Sequence, residues 1–247
     1  MATGKSALLL GGTGAVGKKL LAELLASDDW TRLGEYGRRV TVPVSGTSTG
    51  ASPPKLEQKV IDFEKLDEAD LKGGRWDVVF VTLGTTRANA GSVAQFEKID
   101  REYVVRACKA AKTDDPTHEQ RVVYLSSTGA DPTSRILYSK SKGLTELALA
   151  RLGYADTLVF RPGFLRGAER PESRIAESVL GFVTSAAAHF SPNVEIEVTL
   201  LAKSMAKAGA LGSSHIPSDV GATKVDAGQD AWFTVLSNKA AALLGAK

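Results

Sequence analysis

Leu8-Leu9-Leu10-Gly11-Gly12-Thr13-Gly14-Ala15-Val16-Gly17 is the stretch around which the rest of the chain is organised. The apolar run 7–10 stops at a glycine cluster, and a helical pattern opens at once through Leu20, Leu21, Leu24 and Leu25. Strand, tight turn and helix in that order form the first unit of a dinucleotide-binding fold. A side chain at Gly12 or Gly14 would keep the backbone away from a pyrophosphate, and one at Gly17 would push the helix off the strand. The helix N-terminus offers free N–H groups and a positive dipole end to the phosphates. Gly11, Gly12, Thr13, Gly14, Ala15, Val16 and Gly17 are therefore candidate cofactor-binding residues. Residues 12–18 also approach a P-loop, but Lys19 stands where Ser or Thr should hold magnesium, and the apolar run Val78–Val81 follows Asp77 instead of ending in an acid.

Downstream, apolar runs alternate with helical segments of crossover length, which predicts a Rossmann-type doubly wound parallel sheet in a single domain spanning 1–247. Residues 38–44 read as the second strand, and 45–54 as a loop rich in Gly, Ser, Thr and Pro. The end of that strand should meet the adenosine ribose, where an acid would bind the 2′-hydroxyl of NAD. Ser45, Gly46, Thr47 and Ser48 supply no acid. A 2′-phosphate fits such hydroxyls better, with Lys18, Arg38 or Arg39 as the cation, which favours NADP(H) and leaves NAD(H) open. A third strand is expected at 59–62, placing Asp62 and Phe63 where an adenine edge could be bonded and covered, unless Phe63 is simply core. A fourth, 77–82, ends in Leu83-Gly84-Thr85-Thr86-Arg87, whose glycine permits close cofactor approach. A helix is expected at 100–111, a fifth strand at Arg121–Leu125 and a sixth at 157–160. Helices are expected at 172–188, 199–211 and 231–244, with 166–218 as a substrate-covering subregion.

The fifth strand leads to Ser126-Ser127-Thr128-Gly129 and then Tyr138-Ser139-Lys140-Ser141-Lys142-Gly143. Tyr138 and Lys142, four apart, share one helix face. An ammonium beside a phenol favours the phenolate and makes the phenol a better acid–base group. A serine at the neighbouring strand end can hydrogen-bond a substrate carbonyl. The three groups together could polarise a carbonyl while a nicotinamide delivers hydride.

With these residues in place the chain resembles the short-chain dehydrogenase/reductase superfamily, and in its details the atypical branch that holds the HIV Tat-interactive protein and the fungal protein Fmp52. Four segments carry the likeness: Gly11 to Gly17; Leu83-Gly84-Thr85-Thr86-Arg87 with Ala90-Gly91; Ser126-Ser127-Thr128-Gly129-Ala130-Asp131 leading to Tyr138 through Glu146; and Phe160-Arg161-Pro162-Gly163-Phe164-Leu165 followed by Glu172-Ser173-Arg174. The resemblance implies that Tyr138 is the general acid in reduction and that Lys142 holds the nicotinamide ribose and tunes Tyr138. It makes Ser127 the catalytic serine, with Ser126 the alternate, and sets Pro162, Gly163 and Phe164 beside the nicotinamide. It also implies NADP(H). The chain departs from its relatives in two places: Val44-Ser45-Gly46 stands where they carry basic residues after the second strand, and no supporting asparagine lies between 100 and 111. The expected activity is hydride transfer between NADP(H) and a carbonyl or alcohol. The alternative is an NADP(H)-binding regulatory protein presenting 166–191 to a protein partner; a homo-oligomer is left open as well.

Composition narrows the field. A net charge of +3 without a dense basic run argues against nucleic acid. The single Cys108 allows no internal disulfide, and His118, His189 and His215 lack metal-ligand spacing. No run approaches the roughly 20 apolar residues of a membrane span, and no leader is evident before the first strand. Cytoplasmic residence is the expectation, with a peripheral place on the mitochondrial outer membrane, taken from the fungal relatives, as the alternative.

Overall fold

A computed structural model of the protein describes residues 4–41, 55–66, 71–167 and 195–247. The first half runs β1 (Lys5–Leu10), α1 (Ala15–Ala26), β2 (Trp30–Gly37), β3 (Leu56–Val60), β4 (Val78–Val81) and a single helical turn α2 (Arg87–Ala90). Next comes α3 (Val93–Glu97), which continues through a π-turn (Lys98–Glu102) into α4 (Tyr103–Ala111). The second half runs β5 (Arg121–Leu125), α5 (Leu137–Ala150), β6 (Asp156–Arg161), β7 (Phe164–Arg166), β8 (Glu195–Glu197), α6 (Val198–Leu211), β9 (Thr223–Gly228), β10 (Ala231–Ser237) and α7 (Asn238–Ala246). Eight strands form one sheet in the order β3-β2-β1-β4-β5-β6-β10-β9, parallel except for the β9–β10 pair. The order reverses between β1 and β4, and the crevice beyond their carboxyl ends is the topological switch point of a doubly wound sheet.

Alternation along the central strands builds a core on each face. Leu9, Phe80, Val123 and Leu158 point to one side, where α1, α6 and α7 cover them. Leu8, Leu10, Val79, Val122 and Tyr124 point to the other, under α4 and α5.

Four elements differ from the sequence reading, the simplest being the third strand, expected at 59–62 and found at Leu56–Val60, where it pairs with β2. The second strand is Trp30–Gly37, not 38–44; it pairs with β1 from Lys5↔Trp30 to Leu10↔Tyr36. Its pattern is hidden by Gly34, whose missing side chain leaves room for the Trp76 ring, 2.6 Å from where a Cβ would stand. Loop 45–54, with Ser45, lies outside the described residues. The terminal segment 231–244 is not one helix. It is β10, turned back from β9 at Gln229–Asp230 with both φ angles positive, and then α7, capped by Ser237 accepting from the Ala240 amide. Phe233, Val235 and Leu236 are buried there, and strand pairing to β6 outweighs the helical pattern. The helix expected at 100–111 begins earlier, at Val93, with Ser92 as its cap. The charged run Lys98-Asp100-Arg101-Glu102 obscures its apolar stripe. Within the expected covering subregion, α6 lies on the sheet with Leu201, Met205 and Ala208 buried. The helix expected at 172–188 lies outside the described residues.

Candidate active site

The glycine turn occupies the mouth of the crevice. Gly11 takes φ +97°, and its carbonyl accepts from the Gly14 amide at 3.0 Å. A methyl at Gly17 would collide with the Gly11 carbonyl, so α1 starts hard against the turn only because residue 17 is glycine. Gly14 is the α1 N-cap, no side chain caps the helix, and no acid stands in its first turn. The leading amides are left for an anion, so this cradle fits a dinucleotide pyrophosphate. Thr13 and Ala15 are half-buried at its rim. Val16 points into the core and so contributes backbone only.

The loop after β4 joins this turn to the chemistry-bearing residues. Thr82 donates to Gly11 O at 3.0 Å, and Leu83 lies directly beneath Gly11. A Cβ at Gly84 would stand 3.3 Å from both Asp100 Oδ1 and Lys142 Nζ. The Thr85 amide donates to Asp100 Oδ1 at 3.4 Å.

Lys142 and Asp100 form an ion pair at 3.0 Å, with side chains only 4% and 0% exposed. Lys142 also donates to the Tyr124 hydroxyl at 3.1 Å, and Ser141 Oγ donates to the second Asp100 oxygen at 3.2 Å. Burial by itself pushes the Lys142 ammonium down; Asp100, then Tyr124 and Tyr138, more than reverse this and hold it well above the usual lysine value. Burial pushes the Tyr124 phenol up and keeps it a neutral acceptor. Tyr138, one turn before Lys142 on α5, is 37% exposed; its ring lies 5.7 Å from Lys142 Nζ and 6.2 Å from the Phe96 ring.

The two serines separate. Ser126 Oγ donates to Glu146 at 2.5 Å, and Glu146 is ion-paired with Arg161. Ser126, proposed from sequence both as the alternate catalytic serine and as a cofactor contact, thus has its hydroxyl committed to the scaffold. Ser127 Oγ is buried and has no partner among the described residues. Beside it the Thr128 amide donates to Pro162 O at 2.8 Å, and the Gly163 amide to Asn238 Oδ1 at 2.9 Å. Phe164 is exposed. These residues follow β6, next to β5, and close the same end of the sheet.

Phe63 does not reach this crevice. It is 1% exposed and stacks on Tyr103 at 5.3 Å, so it is core and not an adenine cover. Asp62 is exposed beside it and accepts from the Glu64 amide. Asp100, Tyr124 and Glu146 were given no role from sequence. Asp100 had one signal, an acid in an otherwise amphipathic helix, but only the π-turn shows that it faces inward. With β2 correctly placed, the residues at its carboxyl end are Gly37-Arg38-Arg39, not Val44-Ser45-Gly46. Both arginines are exposed, and neither pairs with a described acid.

No family model matches the chain. Protein HTATIP2 of Rattus norvegicus is 38% identical over 173 residues, 70% of this chain and 67% of the relative. Protein FMP52, mitochondrial, of Coccidioides immitis is 33% identical over 187 residues, 74% of each. The chain belongs to the HTATIP2/Fmp52 family. Solved structures agree on the fold. A nucleoside-diphosphate-sugar epimerase from Agrobacterium tumefaciens superimposes with TM-score 0.64 at 15% identity, covering 88% of this chain and 71% of its own. A short-chain dehydrogenase/reductase from Saccharomyces cerevisiae gives 0.57 at 16% identity, covering 95% and 96%. The cytoplasmic expectation is corrected by these relatives: the Fmp52 proteins of the family, from Coccidioides to Aspergillus niger, are named as mitochondrial. Among the described residues no helix is long and apolar enough to cross a membrane.

Proposed function

We propose that this member of the HTATIP2/Fmp52 family is an NADP(H)-dependent oxidoreductase acting on a carbonyl or alcohol. The observation that carries the reading is the grouping, beside an uncapped glycine turn, of a half-exposed phenol, a buried ion-paired ammonium and a serine hydroxyl with no partner among the described residues. When bound, the nicotinamide supplies or takes up the hydride. The protein supplies the rest. Tyr138 Oη donates a proton to the carbonyl oxygen in reduction and takes it back in oxidation. Ser127 Oγ donates a hydrogen bond to the same oxygen and polarises the carbonyl. An ammonium has three donors, and Asp100 and Tyr124 use two of those on Lys142, leaving one for a ribose hydroxyl. Arg38 and Arg39 supply paired donors for a ribose 2′-phosphate, and Gly37 replaces the acid that would repel it. Pro162, Gly163 and Phe164 border the nicotinamide.

Titration with NADPH and NADH, followed by fluorescence of the reduced nicotinamide, tests the cofactor. NADPH is expected to bind more tightly. Tyr138→Phe is expected to lower turnover about 10³-fold while NADPH affinity stays within about twofold. Unchanged turnover in that variant would overturn the enzyme reading. Binding without turnover by the native protein across a carbonyl panel would favour the regulatory alternative, whose partner surface at 166–191 lies almost wholly outside the described residues.

A further inference from the structure

A buried carboxylate that the chemistry above does not use lies behind the glycine turn. Glu35 on β2 is 1% exposed. A side chain at Gly12 would overlap it, so the carboxylate and the turn are in direct contact. No described cation pairs with it. Its oxygens instead take three donors: the Thr41 amide at 2.8 Å, Thr41 Oγ1 at 2.7 Å and Gln58 Nε2 at 2.6 Å. Gln58, on β3, also donates to Thr41 O at 2.8 Å. Thr41 is thereby pinned to the sheet through its amide, hydroxyl and carbonyl. The other end of the same excursion is tied as well, since Gly37 O accepts from the Ile61 amide at 2.9 Å. Between these anchors run Arg38, Arg39 and Val40.

Burying a carboxylate is costly unless its bonds are met. Here they are met by the residue that closes the arginine turn. Exposed arginines otherwise lose several rotatable bonds on gripping an anion. A turn fixed at both ends lowers that cost by holding the backbone from which both arginines project.

We propose that Glu35 is a positioning residue that sets selectivity for a ribose 2′-phosphate, by holding the Arg38–Arg39 turn against the glycine turn through Thr41. The inference rests on the NADP(H) reading and deepens it. An acid on this face of β2 could instead bind a ribose hydroxyl and favour NAD(H), but both Glu35 oxygens are already engaged and the side chain is buried. The two roles have opposite signs.

The test measures dissociation constants of NADPH, NADH, 2′,5′-ADP and 5′-AMP for the native protein, Glu35→Gln, Thr41→Val and a double variant Arg38→Ala/Arg39→Ala. Glu35→Gln turns one acceptor into a donor facing a donor, and Thr41→Val removes one hydroxyl from the clamp. Each is expected to weaken NADPH and 2′,5′-ADP about tenfold and to leave NADH and 5′-AMP within about twofold. In the arginine double variant, adding Glu35→Gln should change the NADPH constant no further. If the native protein shows no preference for NADPH over NADH, the NADP(H) reading fails and the inference falls with it; if the preference survives in the double arginine variant, the arginines do not supply it and the inference alone fails. If the arginines matter but Glu35→Gln and Thr41→Val weaken all four ligands equally, or none, Glu35 is only structural. Tighter NADPH or selectively weaker NADH in Glu35→Gln would overturn the inference outright.

Discussion

Ser126 and Ser127 are the same residue type in adjacent positions, and their surroundings give them different tasks. Ser126→Ala leaves Glu146 short of a donor and is expected to cost about 1–3 kcal/mol in urea unfolding with little change in kcat. Ser127→Ala removes a hydroxyl that has no described partner, so stability should hold while kcat/KM falls about 10²-fold. A reversed pattern would exchange their roles. Lys142 can be tested through stability alone. Its pKa is raised above the ordinary lysine value of 10.5, so the stability of its pairing is fully present below that value and is lost only as pH rises through the folded value. Lys142→Met strands Asp100 without a counter-charge and is expected to cost about 3–5 kcal/mol at neutral pH. The gap from the native protein should be equal at pH 7 and about 9.5, and narrow only at higher pH; narrowing below about pH 9 would contradict the assignment. Tyr138 and Lys142 were legible from spacing because a helix puts residues four apart on one face. Asp100 was not, because its inward direction comes from the π-turn.

The strand–turn–helix unit of residues 5–26 was legible because each part is locally specified: an apolar run, glycines and a leucine stripe. Its tightest point is Gly17. Gly17→Ala must separate α1 from the Gly11 carbonyl, and it is expected both to lower stability by about 1–3 kcal/mol and to abolish NADPH binding. Full binding in that variant would show that the turn has slack. β2 was misread because its side chains answer to neighbours far along the chain. Gly34 makes room for Trp76, Arg32 stacks on the same ring at 4.1 Å, and Glu35 is polar on a buried strand because Thr41 and Gln58 meet it. The alternating valines just beyond it gave a cleaner local pattern in the wrong place. The error carried over to the candidate ribose site, since it set Ser45 to Ser48 at the strand's carboxyl end and left Arg38 and Arg39 only as nearby cations.

Across the whole molecule, the sheet depends on its last two strands. β10 covers the β6 edge, and α7 caps the face shared with α1 and α6. Removing residues 222–247 would expose the β6 edge and take away Phe233, Leu236 and Leu244, side chains whose burial is worth about 1.5–3 kcal/mol each. That truncated chain is expected to lose cooperative unfolding and near-ultraviolet circular dichroism; a sharp native-like transition would show the parallel core to be self-sufficient. The sequence by itself determined the doubly wound class, the glycine turn, and the Ser127, Tyr138 and Lys142 candidates, because each rests on local periodicity or short spacing. Only the tertiary structure decided which strand leads into Arg38 and Arg39, which serine has no partner among the described residues, that Phe63 is core, and that Asp100 and Glu35 face inward. Those outcomes depend on which distant groups meet, and a buried polar side chain carries no local mark of the partner that satisfies it.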